Sequence, residues 1–164
     1  MRHVTFISPN VPELLAIADT LRLVADLPVL PHPPLPHEAP WMTTLVAVLP
    51  FLEVVLEAGV QYVVLTLGSQ GAALACRHPT KHSTAVFHLD ALPATVVNTS
   101  GAGDCLVGGA VAALVGGADP VDALAHGVAA AGVAVQTGGN VPPALDPEAI
   151  RRDAARVLET LQAL

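Results

Sequence analysis

The residues best equipped for chemistry lie between Val96 and Gly109, where the chain reads Val-Val-Asn-Thr-Ser-Gly-Ala-Gly-Asp-Cys-Leu-Val-Gly-Gly. Two β-branched residues end what is expected to be a short apolar strand, and a loop of small residues follows. From Asp104 an apolar helical pattern continues to about Val115. A helix starting here presents unpaired backbone N–H groups, and the positive end of its dipole, to whatever lies in front. Gly101, Ala102 and Gly103 carry too little side chain to keep a phosphate away from that backbone. Asp104 stands at the lip, where a carboxylate can take a proton from an attacking hydroxyl. An anion cradle beside a base is the minimum equipment for phosphoryl transfer. The same residues also describe a plain tight turn into a helix capped by Asp104, and local physics alone leaves both readings open. Spacing does exclude two better-known loops. No Gly-Lys-Ser/Thr follows, so this is not a Walker A loop, and the third glycine, Gly108, falls too late for a dinucleotide fingerprint.

The elements that must position this loop follow from the pattern on either side of it. His3 to Ile7 reads as a buried strand ended by Ser8-Pro9. Asn10 then suits a helix N-cap, with Pro12 in the first turn, Glu13 three residues after the cap, and apolar residues through Leu23. Residues 24–41 hold Pro28, Pro31, Pro33, Pro34, Pro36 and Pro40 around His32 and His37. Such a segment can be neither helix nor inner strand, and it reads as a mobile surface loop whose histidines are solvated rather than metal-bound. Thr43 to Ala58 is helical, stopped by Gly59, with a kink or break expected at Pro50. Tyr62 to Thr66 is the clearest buried strand. It turns through Gly68-Ser69-Gln70-Gly71 into a second strand, Ala72 to Cys76. A polar connection from Arg77 to Lys81 leads to an edge strand over Thr84 to His88.

Beyond the Gly-Ala-Gly-Asp loop, Gly116-Gly117 turns the chain, and Asp119-Pro120 opens a helix running through Val135. Ala125, Gly127, Ala129, Ala130, Ala131 and Gly132 make it thin. That thinness suits either tight packing against a sheet or room for a flat ring. A charged amphipathic helix is expected from Pro147 to Leu164.

Composition limits the class. At 164 residues the chain has room for one domain with a real core. It is 52% hydrophobic but only 3% aromatic, so Ala, Val and Leu must build that core, as in close helix–sheet packing. A net charge of −7 argues against nucleic acid, whose binding draws on a basic surface. Cys76 and Cys105 make no disulfide framework and no metal-ligand spacing. Mean hydropathy is high, at +0.59. Yet no apolar run reaches the roughly 20 residues that span a bilayer, and the first residues show no charged stretch followed by an apolar one, so no secretory signal is expected. A soluble cytoplasmic protein with no membrane partner is expected.

The signature Asn98-Thr-Ser-Gly-Ala-Gly-Asp104 resembles the Asp-Thr-x-Gly-Ala-Gly-Asp motif of the PfkB (ribokinase-like) carbohydrate and nucleoside kinases. The resemblance implies an anion hole formed by Gly101, Ala102 and Gly103, with Asp104 as catalytic base. Ser8-Pro-Asn10-x-x-Glu13 looks like the family's Asn-x-x-Glu motif, which implies that Asn10 and Glu13 position Mg²⁺, reached through water. Thr66-Leu-Gly68-Ser-Gln-Gly71 is similar to the family's nucleotide-contacting turn. The thin helix carrying His126 and the segment Gly138-Gly139-Asn140-Val141-Pro142 match elements that line and close its ATP site. Thr66, Gly68, Gly71, Thr99, His126 and Asn140 are therefore the implied nucleotide contacts. The departure is Asn98: the family's Asp there helps to hold a monovalent cation, so an implied K⁺ site lacks its carboxylate in this chain.

The resemblance implies an α/β fold, a ribokinase-like three-layer α/β/α sandwich. It covers only the C-terminal, ATP-binding half of such a kinase, without the N-terminal half and β lid that carry most acceptor-binding groups. Residues 1–164 are thus expected to form a single partial kinase domain, a truncated form. Its uncovered sheet edge and apolar face favour homo-oligomerisation or pairing with another chain. The implied reaction moves the ATP γ-phosphate to a hydroxyl of a sugar or nucleoside. The Asn-Thr-Ser variant, the Ser-Pro-Asn start and the Pro-rich insertion look most similar to pseudouridine kinases. The alternative is a non-catalytic nucleotide-binding or partner-binding module that keeps the fold.

Overall fold

The computed structural model describes residues 4–36, 39–78 and 83–164. His3, His37 and most of the connection ending at Lys81 lie outside the described residues. The chain divides into two compact units, residues 1–86 and 87–164.

The first unit is α/β. Strand β1 (Phe6–Ile7) leads into helix α1 (Val11–Val24), and residues 25–36 carry neither helix nor strand before α2 (Trp41–Glu57). Strand β2 (Tyr62–Thr66) passes through a 3₁₀ turn at Gly68–Gln70 into β3 (Ala72–Arg77). Strand β4 (Thr84–Leu89) runs over the boundary into the second unit. β1 pairs parallel to β2, which needs the helical crossover that α1 and α2 supply. β2 pairs antiparallel to β3, from Tyr62 opposite Cys76 to Thr66 opposite Ala72. Leu14 and Ala18 of α1, with Leu45, Val48, Leu52 and Val55 of α2, pack with Val63 and Leu65 of β2 in one core.

The expected break at Pro50 does not occur: α2 is one continuous helix with Pro50 inside it. Pro50 and Val46 both sit on the exposed face, so the Val46 carbonyl that loses its amide partner faces water rather than the core. The cost that would break a buried helix is thereby reduced.

In the second unit, helices α3 (Ala102–Val115), α4 (Pro120–Ala134) and α5 (Pro147–Leu158) follow β4, and β5 (Gln162–Ala163) ends the chain. Asp119 Oδ1 caps α4 by accepting from the Val121 and Asp122 amides at 2.9 and 3.0 Å. Asp146 Oδ1 accepts from the Glu148 amide to cap α5.

Two sequence expectations give way here. The helix expected to reach Leu164 stops at Leu158, because Gln162 and Ala163 pair antiparallel with His88 and Phe87 of β4. Val96 and Val97 form no strand. The Val97 and Asn98 amides both go to the Val135 carbonyl at the end of α4, at 2.7 and 3.2 Å, and both valines stay exposed. Part of the thin face of α4 is filled by another helix: Gly127 lies against Leu106 and Ala110 of α3, and Gly109 against Ala130. Among the described residues no helix is long and apolar enough to cross a membrane.

Candidate functional site

Within the second unit the glycine loop turns at Gly101, whose φ of +81° and ψ of −5° place it in the left-handed region. Gly101 is the N-cap of α3, so the helix begins at Ala102 and Asp104 sits in its first turn rather than at the cap. The Asn98 side-chain oxygen accepts from the Ser100 amide at 3.0 Å, and the Thr99 carbonyl accepts from the Ala102 amide at 3.3 Å. The next amides, those of Gly103 and Asp104, have no partner among the described residues, as the opening of a helix dictates. Gly103 is exposed, and nothing stands within 4 Å of where its Cβ would be. Asp104 is exposed beside it. The structure therefore brings together two free N–H donors, the positive end of α3 and a solvent-facing carboxylate.

The segment expected to close the site comes to the same loop, through its backbone. A Cβ on Gly101 would collide with the Asn140 carbonyl. Thr137 supports this segment from below, its hydroxyl donating to the Ala134 and Gly139 carbonyls at 2.9 and 3.2 Å. Cys105, one residue beyond the carboxylate, is buried; burial first, and the Asp104 charge second, push its thiol up. It stays protonated at neutral pH, which suits packing and not nucleophilic chemistry.

Within the first unit a second set assembles around α1. Asn10 and Glu13 form a reciprocal capping box: the Glu13 amide donates to Asn10 Oδ1, and the Asn10 amide to Glu13 Oε2, both at 2.9 Å. Asn10 also bridges in parallel to Thr66, whose amide donates to the Pro9 carbonyl at 2.9 Å. The end of β2 is thus fastened to the start of α1, and Thr66 lies beside Asn10. Gly68 and Gly71 both take positive φ, +61° and +87°, in the turn that follows. The exposed oxygens of Asn10 and Glu13 are hard donors already spending part of their capacity on the cap, which suits a water-mediated Mg²⁺ contact. No cluster of three or more His, Cys, Asp or Glu residues able to hold a metal directly occurs among the described residues.

His126 lies on α4. Its Nδ1 lies 2.9 Å from the Asp122 carbonyl and 3.3 Å from the Asp122 carboxylate, one turn earlier on α4. With Gly108, Gly109, Ala112 and Ala130 it lines a cavity of about 880 Å³ among α3, α4 and α5, which Gly101–Asp104 do not border. Two contributors to the candidate site escaped the sequence. The Val135 carbonyl that holds the loop's entry is a backbone group with no signal in residue type. Gln70, which donates to the Ala39 carbonyl at 2.9 Å, looked like an ordinary turn residue.

Residues 1–146 match the pattern described as pfkB family carbohydrate kinase. A pseudouridine kinase of Arabidopsis thaliana is 33% identical, the match covering 95% of this chain and 50% of that protein. The ribokinase of Thermotoga maritima superposes with a TM-score of 0.63 at 23% identity, over 96% of this chain and 43% of its own. Arabidopsis thaliana ribokinase, solved with ribose and ATP, gives 0.61 at 25% identity, over 93% of this chain and 41% of its own. The fold is ribokinase-like α/β. The chain spans about half the length of the relatives it matches.

Proposed function

The chain belongs to the pfkB family of carbohydrate kinases, and from that premise we propose that it supplies the ATP-binding and proton-abstracting part of a phosphotransferase. The γ-phosphate of ATP passes to a hydroxyl of a sugar or nucleoside, with pseudouridine favoured by the identity to the Arabidopsis enzyme. The observation that carries this reading is the opening of α3: Gly103 and Asp104 amides with no partner among the described residues, open space over Gly103, and the exposed Asp104 carboxylate.

Asp104 takes the proton of the acceptor hydroxyl as its oxygen attacks phosphorus. The α3 amides and dipole stabilise the charge on the transferred group, and Gly101 allows the loop to turn tightly in front of them. Thr66, Gly68 and Gly71 receive the nucleotide, with Thr99, His126 and Asn140 as its further contacts. Mg²⁺, when bound, neutralises phosphate charge; Asn10 and Glu13 are the residues that orient its water shell. Asn98 is a neutral amide engaged with the Ser100 amide, so a K⁺ bound beside the loop would lack a carboxylate from this position. Two free thiols and a need for ATP suit a cytoplasmic setting.

The test is ADP release from Mg·ATP by the 164-residue chain, with pseudouridine, ribose, fructose and common nucleosides each offered as acceptor. Asp104→Ala should lower turnover on the order of 10²–10⁴-fold while ATP affinity stays within about twofold. A second reading, a nucleotide-binding or partner-binding module without turnover, draws on the chain's spanning about half of its relatives. ATP binding with no acceptor-dependent ADP release would select it. Unaltered turnover in Asp104→Ala would remove Asp104 as the base.

A further inference from the structure

The proline-rich segment is tied down at both ends, and its far end reaches the turn assigned to the nucleotide. Near α1, Arg22 Nε donates to the Pro28 carbonyl, and His32 Nε2 donates to Asp19 Oδ2 at 2.8 Å. The other Asp19 oxygen is buried with no partner among the described residues, so this carboxylate depends on His32 for its compensation. The His32 ring also stands edge-on to Phe51 of α2, with centroids 5.8 Å apart. Leu30 and Leu35 pack against the core between these points. Further along, the Ala39 amide donates to the Pro36 carbonyl at 3.0 Å, and the buried Ala39 offers its own carbonyl to Gln70 Nε2 at 2.9 Å.

The receiving turn is built on glycine. It carries two positive-φ glycines, Gly68 and Gly71, and two of its three internal backbone bonds measure 3.2 Å. Glycine gives such a turn many alternatives to lose on ordering. A proline-rich segment has few, because each ring fixes φ, so an anchor at one end restrains the other. We propose that residues 25–36 with Ala39 act as a strap that sets the Thr66–Gly71 turn, with Gln70 as its positioning residue and the His32–Asp19 pair as its distant anchor. The proposal rests on the reading of that turn as a nucleotide contact.

The experiment combines ATP titration with amide hydrogen exchange on the full 164-residue chain and on three variants. Gln70→Leu keeps the volume and removes the donor. His32→Ala removes the anchor, and His32→Gln keeps a donor toward Asp19. Gln70→Leu should weaken ATP about five- to tenfold, the range of one lost hydrogen bond, and speed exchange at Leu67–Gly71. His32→Ala should speed exchange in residues 25–36 and again at Leu67–Gly71, and weaken ATP about two- to threefold. His32→Gln should restore both, with α2 and β2 amides unchanged throughout. Faster exchange in 25–36 with the turn and ATP affinity as in the parent overturns the strap. So does a uniform rise across all amides, which marks general destabilisation. If the parent chain binds no ATP, the nucleotide reading fails by itself, and coupled exchange between 25–36 and 67–71 alone decides the strap.

Discussion

Gly101 and Gly103 stand two positions apart and differ in everything a methyl group would meet. At Gly101 an added Cβ is opposed twice, by a φ of +81° and by the Asn140 carbonyl. Gly101→Ala should cost about 2–3 kcal/mol of stability, read from urea denaturation. At Gly103 the backbone is helical and the space beyond is open, so Gly103→Ala should be neutral or stabilising by up to about 1 kcal/mol. On the proposed reading, its methyl group would stand where a phosphate approaches the first amides of α3. ATP turnover should therefore fall on the order of tenfold or more in a variant that is no less stable, as expected where about 1.4 kcal/mol or more of transition-state stabilisation is lost. Full turnover in Gly103→Ala would count against the phosphate cradle. The sequence made both glycines legible as places of close approach. It could not show that the gap at Gly101 is filled by residue 140, since nothing local encodes a contact 39 positions away.

At the scale of elements, α3 and α4 pack through absent side chains. A Cβ on Gly127 would stand 2.6 Å from the Leu106 carbonyl oxygen, whereas one on Gly108, on the same helix as Leu106, would meet nothing within 4 Å. Gly127→Ala must push the helices apart or distort one of them, and should cost about 2–3 kcal/mol. Gly108→Ala should add about 0.5–1 kcal/mol through helix propensity alone. Opposite shifts in the urea midpoint, followed by far-UV circular dichroism, check the pair; equal shifts would mean that the α3–α4 contact is looser than these distances require. Elements whose signals are local were legible: the Asn10–Glu13 capping box, the Asp119 cap and the apolar runs of β2 and β3 all appear where their residues placed them. Elements decided by distant partners were not. Gln162 and Ala163 leave the helical pattern because β4 offers them a ladder, and Val96–Val97 lack one despite their β-branched side chains. The candidate site divides the same way, its glycine loop visible in the sequence and its Val135 and Ala39 carbonyl anchors invisible.

For the whole molecule, the 164 residues are proposed to fold as one partial kinase domain although the chain divides at Val86–Phe87 into two compact units. Trp41 is the only tryptophan and lies in the first unit, while α3, α4 and α5 all lie in the second. Tryptophan emission therefore reports from a residue of the first unit, and far-UV circular dichroism from both units. If the two unfold as a single domain, the urea curves from the two probes should superpose; two midpoints would show that each unit is stable by its own contacts. Protein concentration adds a second axis to the same measurement. Val24 and Val115 are 83% and 85% exposed, among several apolar side chains left in contact with water. If such surface drives the expected pairing with another copy, association adds to the stability of the folded form, and the midpoint should rise with protein concentration. A midpoint independent of concentration over a hundredfold range would mean that the chain carries this surface as a monomer. Self-association would then have no part in holding the α3 cradle and the strapped turn in place.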